Sequence, residues 1–152
     1  VARAAAEGAS AAECLALAER IKSATGIFFM VDTLEFLHRG GRIGGAQRLL
    51  GTALNLKPIL TVKDGKVEAV ERVRTKSKAL VRLQELIAEQ CQGKSPVRLA
   101  SLNANAVEDA QTVLASASAS LNATESISAE LSPVLGTHTG PGTVGLAYLT
   151  GL

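Results

Sequence analysis

Aromatic side chains are nearly missing from this chain, which has no tryptophan, one tyrosine and three phenylalanines among 152 residues. Single-stranded nucleic acids are held largely by stacking on aromatic rings, and membrane-inserted segments by belts of tryptophan and tyrosine. Both roles start without their usual equipment. Cysteine is scarce as well. Cys14 and Cys91 are too few and too far apart in sequence for a disulfide framework or a structural zinc site. Each falls on the apolar face of a predicted helix, which reads as two buried thiols. No run approaches the roughly 18 consecutive apolar residues of a membrane-spanning helix. The first residues also lack the basic region, apolar stretch and small-residue cleavage site of a secretion signal, so a cytoplasmic protein is expected. The chain opens on Val1 inside an Ala-rich helical stretch, as a fragment or a processed chain would.

What is plentiful is aliphatic. Hydrophobic residues make up 47% of the chain against 20% charged, the balance of a sequence that folds around a buried core. The length suits one domain, expected to span residues 1–152. A net charge of +2 is too small to draw in a polyanion over distance. The positive charges are nevertheless grouped, with Arg39, Arg42 and Arg48 in one cluster and Arg72, Arg74, Lys76 and Lys78 in another. Solvated faces are the ordinary reading of such runs, and a docking patch for an acidic or phosphate-bearing partner is the alternative.

Helical and strand-like periodicities alternate from end to end, with no internal repeat and no dividing linker. Ser10 and Glu13 form a capping box ahead of Cys14, Leu17, Ala18 and Ile21. That predicts a helix closed by Gly26 and packed on a sheet. Ile27 to Val31 reads as a strand buried on both faces. Asp32 or Thr33 then caps a short helix ended by Gly40-Gly41. A second short helix is predicted from about Ala46 to Leu54, burying Leu49, Leu50, Ala53 and Leu54. Ile59–Lys63, the turn pair Asp64-Gly65 and Lys66–Arg74 make a β-hairpin. Thr75 caps a long helix with Leu80, Leu83, Ile87 and Cys91 inward, and Val97–Leu102 forms a strand. Asn105 and Glu108 are expected to cap a helix with Ala110, Val113, Leu114 and Ala117 inward. Thr124–Leu131 sets Ile127, Ala129 and Leu131 against polar neighbours, a strand with one wet face. Gly136–Gly142 reads as a loop before the apolar run Val144–Leu149. The expected fold is therefore α/β (α+β), a mixed sheet containing an antiparallel hairpin and packed with helices.

Two glycine-rich segments carry polar groups able to meet an anion: His38-Arg39-Gly40-Gly41-Arg42-Ile43-Gly44-Gly45 and the stretch around His138. The first lacks the Lys-Ser/Thr ending of a phosphate loop and the spacing of a dinucleotide fingerprint, so a nucleotide site is excluded on its own terms. Arg42 can pair bidentately with a carboxylate or tie down loops through backbone carbonyls. His138 can donate to a ligand carboxylate or be ordinary polar surface. No nucleophile elbow, metal-binding spacing or paired-carboxylate site stands out, which argues against catalysis and implies no cofactor. Asp32 and Glu35 read as helix-capping groups, and His38 as a cap at the other end of the same helix.

The run Val31-Asp32-Thr33-Leu34-Glu35-Phe36-Leu37, then His38-Arg39-Gly40-Gly41-Arg42-Ile43, Leu50-Gly51 and Leu54-Asn55-Leu56-Lys57-Pro58-Ile59-Leu60, resembles the central signature of the DegV family. Gly136-Thr137-His138-Thr139-Gly140-Pro141-Gly142 with Val144-Gly145 resembles its second signature. The resemblance covers essentially the whole chain. It implies the C-terminal domain of a two-domain fold that encloses one long acyl chain. Several members of the family present the fatty acid to a separate fatty acid kinase, so the resemblance implies a carrier and not an enzyme.

Carried over by motif, His138 corresponds to the histidine near the bound carboxylate and Arg42 to the arginine near the ligand or partner surface. Leu49, Leu50, Leu54 and Ile59 correspond to tunnel wall, although the same residues would serve an ordinary core. The family's N-terminal domain, with the Thr- and Ser-bearing loops that hold the carboxylate, has no counterpart in this sequence. An apolar face is therefore expected where that domain would sit, and a homodimer through that face is a further expectation. The alternative, from a different class, is a protein-interaction or regulatory module that binds no lipid.

Overall fold

Asp64 and Gly65 both hold positive φ, 51° and 74°, as a two-residue turn matching the twist of its flanking strands requires. They join β2 (Lys57–Lys63) to β3 (Lys66–Val73) in the expected hairpin. The computed structural model describes residues 1–49 and 56–152. Before the hairpin come α1 (Ala2–Ala6), α2 (Ala11–Ala24), β1 (Thr25–Met30), α3 (Glu35–Arg39) and a 3-10 helix (Gly44–Leu49). After it come α4 (Lys76–Cys91), β4 (Val97–Ala104), α5 (Val107–Leu121), β5 (Glu125–Glu130), α6 (Pro133–Thr139) and β6 (Thr143–Thr150).

The strands form one six-stranded sheet in the order β3-β2-β1-β6-β4-β5. β4 and β5 run parallel and the remaining neighbours antiparallel, which makes the sheet mixed, as expected. α4 and α5 cover one face. Met30, Ile59, Leu83 and Val144 are buried there, together with Leu99, Val113 and Leu146. Across the opposite face, α3 and the 3-10 helix cover only the β1–β2 side. They bury Phe29, Val31, Leu34, Leu37, Ile43, Ala46 and Leu60.

Several local expectations hold. Ser10 and Glu13 make the full capping box, and the Thr75 side chain accepts from the Lys78 amide. Thr33 Oγ1 accepts from the Glu35 amide at 3.2 Å, which leaves Asp32 free for another partner. Other expectations change. α2 ends at Ala24 and passes directly into β1, so Gly26 lies within a strand. A Cβ at Gly26 would run into the Tyr148 ring, so the glycine provides a close approach and not a helix stop. The α2 stripe Cys14, Leu17, Ala18 and Ile21 is only half-buried. The burial of β1 is likewise confined to its far end, at Phe29 and Met30. Asn105 does not cap α5. Its φ is +52°, and the Ala106 amide donates instead to the buried Asn103 Oδ1 at 3.2 Å. The segment taken as a loop before Gly140 is helical. Ser132 supplies the cap and Pro133 the first turn of α6, a start signal masked by the glycines that follow.

The largest departure is β5. Its apolar residues point away from the helices, with Ile127 53% exposed and Ala129 exposed. Its serines do the internal pairing. Ser126 and Ser118 of α5 share a hydrogen bond of 2.6 Å, and Ser101 of β4 donates to Ser128 at 3.0 Å. The alternation is as expected, but residues 126–130 are exposed on both faces, so the strand has no dry one.

Candidate functional site

The face exposed by β5 continues across the sheet. Ile127 pairs with Ala100, Ala100 with Ala147, and Ala147 with Ile27. Directly paired residues project to the same side of a sheet, so these four form one row. Phe29, two residues beyond Ile27, projects to that side as well, under α3. Ala100, Ala147 and Ile27 are half-buried. A shallow depression of about 210 Å³ lies on this face, bounded by Arg3, Thr25, Arg98, Glu125, Ile127 and Leu149.

Beside this face the two glycine-rich segments interlock. A Cβ at Gly142 would collide with the Asp32 carboxylate, one at Gly140 with the Phe36 ring, and one at Gly40 with the His138 imidazole. The contacts run in opposite chain directions, 32, 36, 40 against 142, 140, 138, so α3 and the α6–β6 connection mesh along their length. Asp32 is fixed by Lys57 at 2.7 Å, at the start of β2. The Thr143 hydroxyl donates to the Gly140 carbonyl at 2.8 Å, and the Gly142 amide donates to the Ala104 carbonyl at 2.8 Å. These bonds tie the connection to the ends of β4 and β6.

His138 stands in the last turn of α6, half-buried. Its Nδ1 is buried with no hydrogen-bond partner among the described residues. Arg42 is exposed. Its amide donates to the Leu37 carbonyl at 2.8 Å, and its guanidinium reaches the Gly40 carbonyl at 3.5 Å. His138 and Arg42 therefore both adjoin Gly40, so the fold brings together two residues far apart in sequence. Leu49 is half-buried against the cluster under α3. Leu50 and Leu54 lie outside the described residues. Ile59 is fully buried between the sheet and α4, in a different cluster from the residues under α3. The fold does not bring it to His138.

Larger depressions, of about 400 and 520 Å³, lie around Arg82 on the outer side of α4. Arg82 bonds there to Glu89, Glu85 and Glu71, and these carboxylates hold its guanidinium above its ordinary pKa. This is a surface tie between β3 and α4 with no link to His138. Among the described residues no group of His, Cys, Asp and Glu side chains is placed to hold a metal. Among them, too, no helix is long and apolar enough to cross a membrane.

Sequence reasoning missed Ile27, Ala100, Ile127 and Ala147 as candidate site residues. The alternation in β5 was the available signal, but periodicity alone does not say which face is covered.

The chain is thus a mixed-sheet α/β domain in which His138 packs on the end of α3, and α3 packs on the side of the sheet that carries the open apolar row. Residues 1–151 match the model of a family described as uncharacterised protein, DegV family, and the chain belongs to that family. It is 39% identical over 145 residues to the DegV domain-containing protein SCO2569 of Streptomyces coelicolor, covering 91% of this chain and 50% of that protein. It is 35% identical over 130 residues to Protein DegV of Bacillus subtilis, covering 86% and 46%. Among solved structures it is similar to a DegV family protein from Thermus thermophilus described by its fatty acid binding. That match has a TM-score of 0.89, 41% identity and coverage of 95% of this chain and 52% of the other. It is also similar to DegV, a fatty acid binding protein from Bacillus subtilis, with a TM-score of 0.78, 33% identity and coverage of 93% and 50%. The chain spans about half the length of the curated relatives it matches.

Proposed function

We propose that this chain forms one side of a long-chain fatty-acid site, with His138 at the carboxylate end and the open sheet face beneath the acyl chain. The observation that carries this reading is the meshing of the two glycine-rich segments, which seats His138 on α3, the helix that packs on the same side of the sheet as the open apolar row. The fatty-acid binding of relatives at 41% and 33% identity supports it.

Physically, each methylene moved from water onto Ile27, Ala100, Ala147 and Ile127 contributes about 0.8 kcal/mol once fully enclosed. One side cannot enclose it. The remaining wall and the other carboxylate donors are assigned to the second domain of the two-domain protein. Leu49 extends the wall from the 3-10 helix, whereas Ile59 serves the core behind the sheet. Arg42, exposed beside Gly40, supplies positive charge at the mouth. In this reading the protein is a carrier that presents the carboxylate to a separate fatty acid kinase, with exposed Arg39 and Arg42 available to that partner.

Native mass spectrometry with extraction and identification of bound lipid tests the proposal. A stoichiometric fatty acid is expected. In His138→Ala, palmitate affinity should fall about ten- to a hundredfold, the equivalent of one hydrogen bond to a charged group. Absence of lipid, even after incubation with palmitate, would leave the same apolar face to a protein contact, as in an interaction or regulatory module or a homodimer.

A further inference from the structure

Gly40 has φ −79° and ψ −2°, ordinary right-handed backbone that any residue adopts. Its neighbour Gly41 is the opposite case, with φ +66° and open space where a side chain would go. Conformation therefore accounts for Gly41 but not for Gly40. What accounts for Gly40 is His138, since the nearest atoms a Cβ there would strike among the described residues are those of the imidazole, Nδ1 first.

The hydrogen that glycine carries in place of a Cβ points at Nδ1. A neutral imidazole has one N–H, on either nitrogen. On Nδ1 it would be a buried donor with no acceptor among the described residues, aimed into the Gly40 backbone. On Nε2 it leaves only a lone pair against the glycine.

We infer that Gly40 is a positioning residue for His138: its bare Cα seats the imidazole and fixes it as the Nε2–H tautomer, with the donor turned away from the seat toward an anionic head group. What that donor meets rests on the fatty-acid reading above; the seat and the tautomer do not. The inference also gives the glycine-rich segment a part in the site that needs no phosphate.

Long-range proton–nitrogen correlation spectra of the nitrogen-15-labelled protein at about pH 8, where an ordinary histidine is neutral, read the tautomer directly. The protein has two histidines, so His38→Gln assigns the pair. A bare Nδ1 and a protonated Nε2 on His138 are expected. A protonated Nδ1, or an even mixture of tautomers, overturns the inference, and this arm requires no variant at the seat to fold. In Gly40→Ala the tautomer preference should be lost and palmitate affinity should fall about tenfold or more. A folded Gly40→Ala protein with the wild-type spectrum would also overturn it. If the wild type fails to bind palmitate, the fatty-acid reading falls, while the His138 spectrum still decides the seat.

Discussion

Replacing Ile127 with alanine, alongside Leu146 with alanine, separates a face that stabilises the chain from one that is left for a ligand. Leu146 is fully buried under α4 and α5, and deleting such a side chain costs about 2–5 kcal/mol through lost transfer energy and the cavity left behind. Ile127 is 53% exposed. Since full burial of an isoleucine stabilises by about 1.5–3 kcal/mol, only about half of that, near 1 kcal/mol, is at stake in the free chain. In urea, with a slope of about 2 kcal/mol per molar, the midpoint should move by about 0.5 M for Ile127→Ala and by about 1–2.5 M for Leu146→Ala. Far-UV circular dichroism follows both transitions. For palmitate the ranking should reverse, with Ile127→Ala weakening binding several-fold and Leu146→Ala leaving the affinity of the folded protein nearly unchanged. A midpoint shift for Ile127→Ala as large as that for Leu146→Ala would refute the assignment of the two faces.

Gly44 and Gly41 both hold positive φ, but a Cβ at Gly44 would press into the Val67 carbonyl whereas at Gly41 it meets nothing. Gly41→Ala should therefore cost only the left-handed backbone penalty of about 1–2 kcal/mol, and Gly44→Ala distinctly more, compared by urea midpoints. Acid should loosen the N-terminal helices: hydrogen bonds from the Ser10 hydroxyl and amide hold the Glu13 carboxyl below its ordinary 4.5, and the Arg3 guanidinium does the same for Glu125. A depressed folded value means that the unfolded chain takes up the proton first, so this stabilisation is complete above about pH 4.5 and lost as pH falls through the folded values. Glu13→Gln should flatten the dependence of the unfolding midpoint on pH below 4.5, and an unchanged slope would contradict the assignment.

The parts of the fold legible in the sequence are those set by chemistry within a few residues. The Asp64-Gly65 turn, the Ser10–Glu13 box and the Thr75 cap each involve groups no more than a turn apart, and each forms as expected. The illegible parts depend on contacts from elsewhere in the chain. Asn103 outcompetes Asn105 because strand β4 buries it against the start of α5. Gly26 sits in a strand because Tyr148 needs the space. Periodicity found both faces of β5 but not which one turns toward the helices, since nothing local shows that Ser126 and Ser128 meet Ser118 and Ser101. The same limit applies to the site. His138 and Arg42 could be named from the family resemblance, but their shared neighbour Gly40 emerges only when residues 32–40 and 138–142 are meshed.

The inversion of β5 also bears on why the site lies where it does. β5 turns its serines toward the helices and Ile127 to the other side, although residues 126–130 are exposed on both. The Ser–Ser hydrogen bonds tie β5 to α5 and to β4 on the helix side. What the inversion secures is a continuous apolar row from Ile127 to Ile27 on the side where α3 carries Gly40 toward His138. An aliphatic ligand lying on that row has its polar end within reach of the histidine only if both features share one face. Turning β5 over would keep the sheet but take Ile127 off that row, and with it the outermost apolar residue of the proposed site. In the proposed fatty-acid reading, exposed Ile127 serves what the sheet receives and not what holds it together.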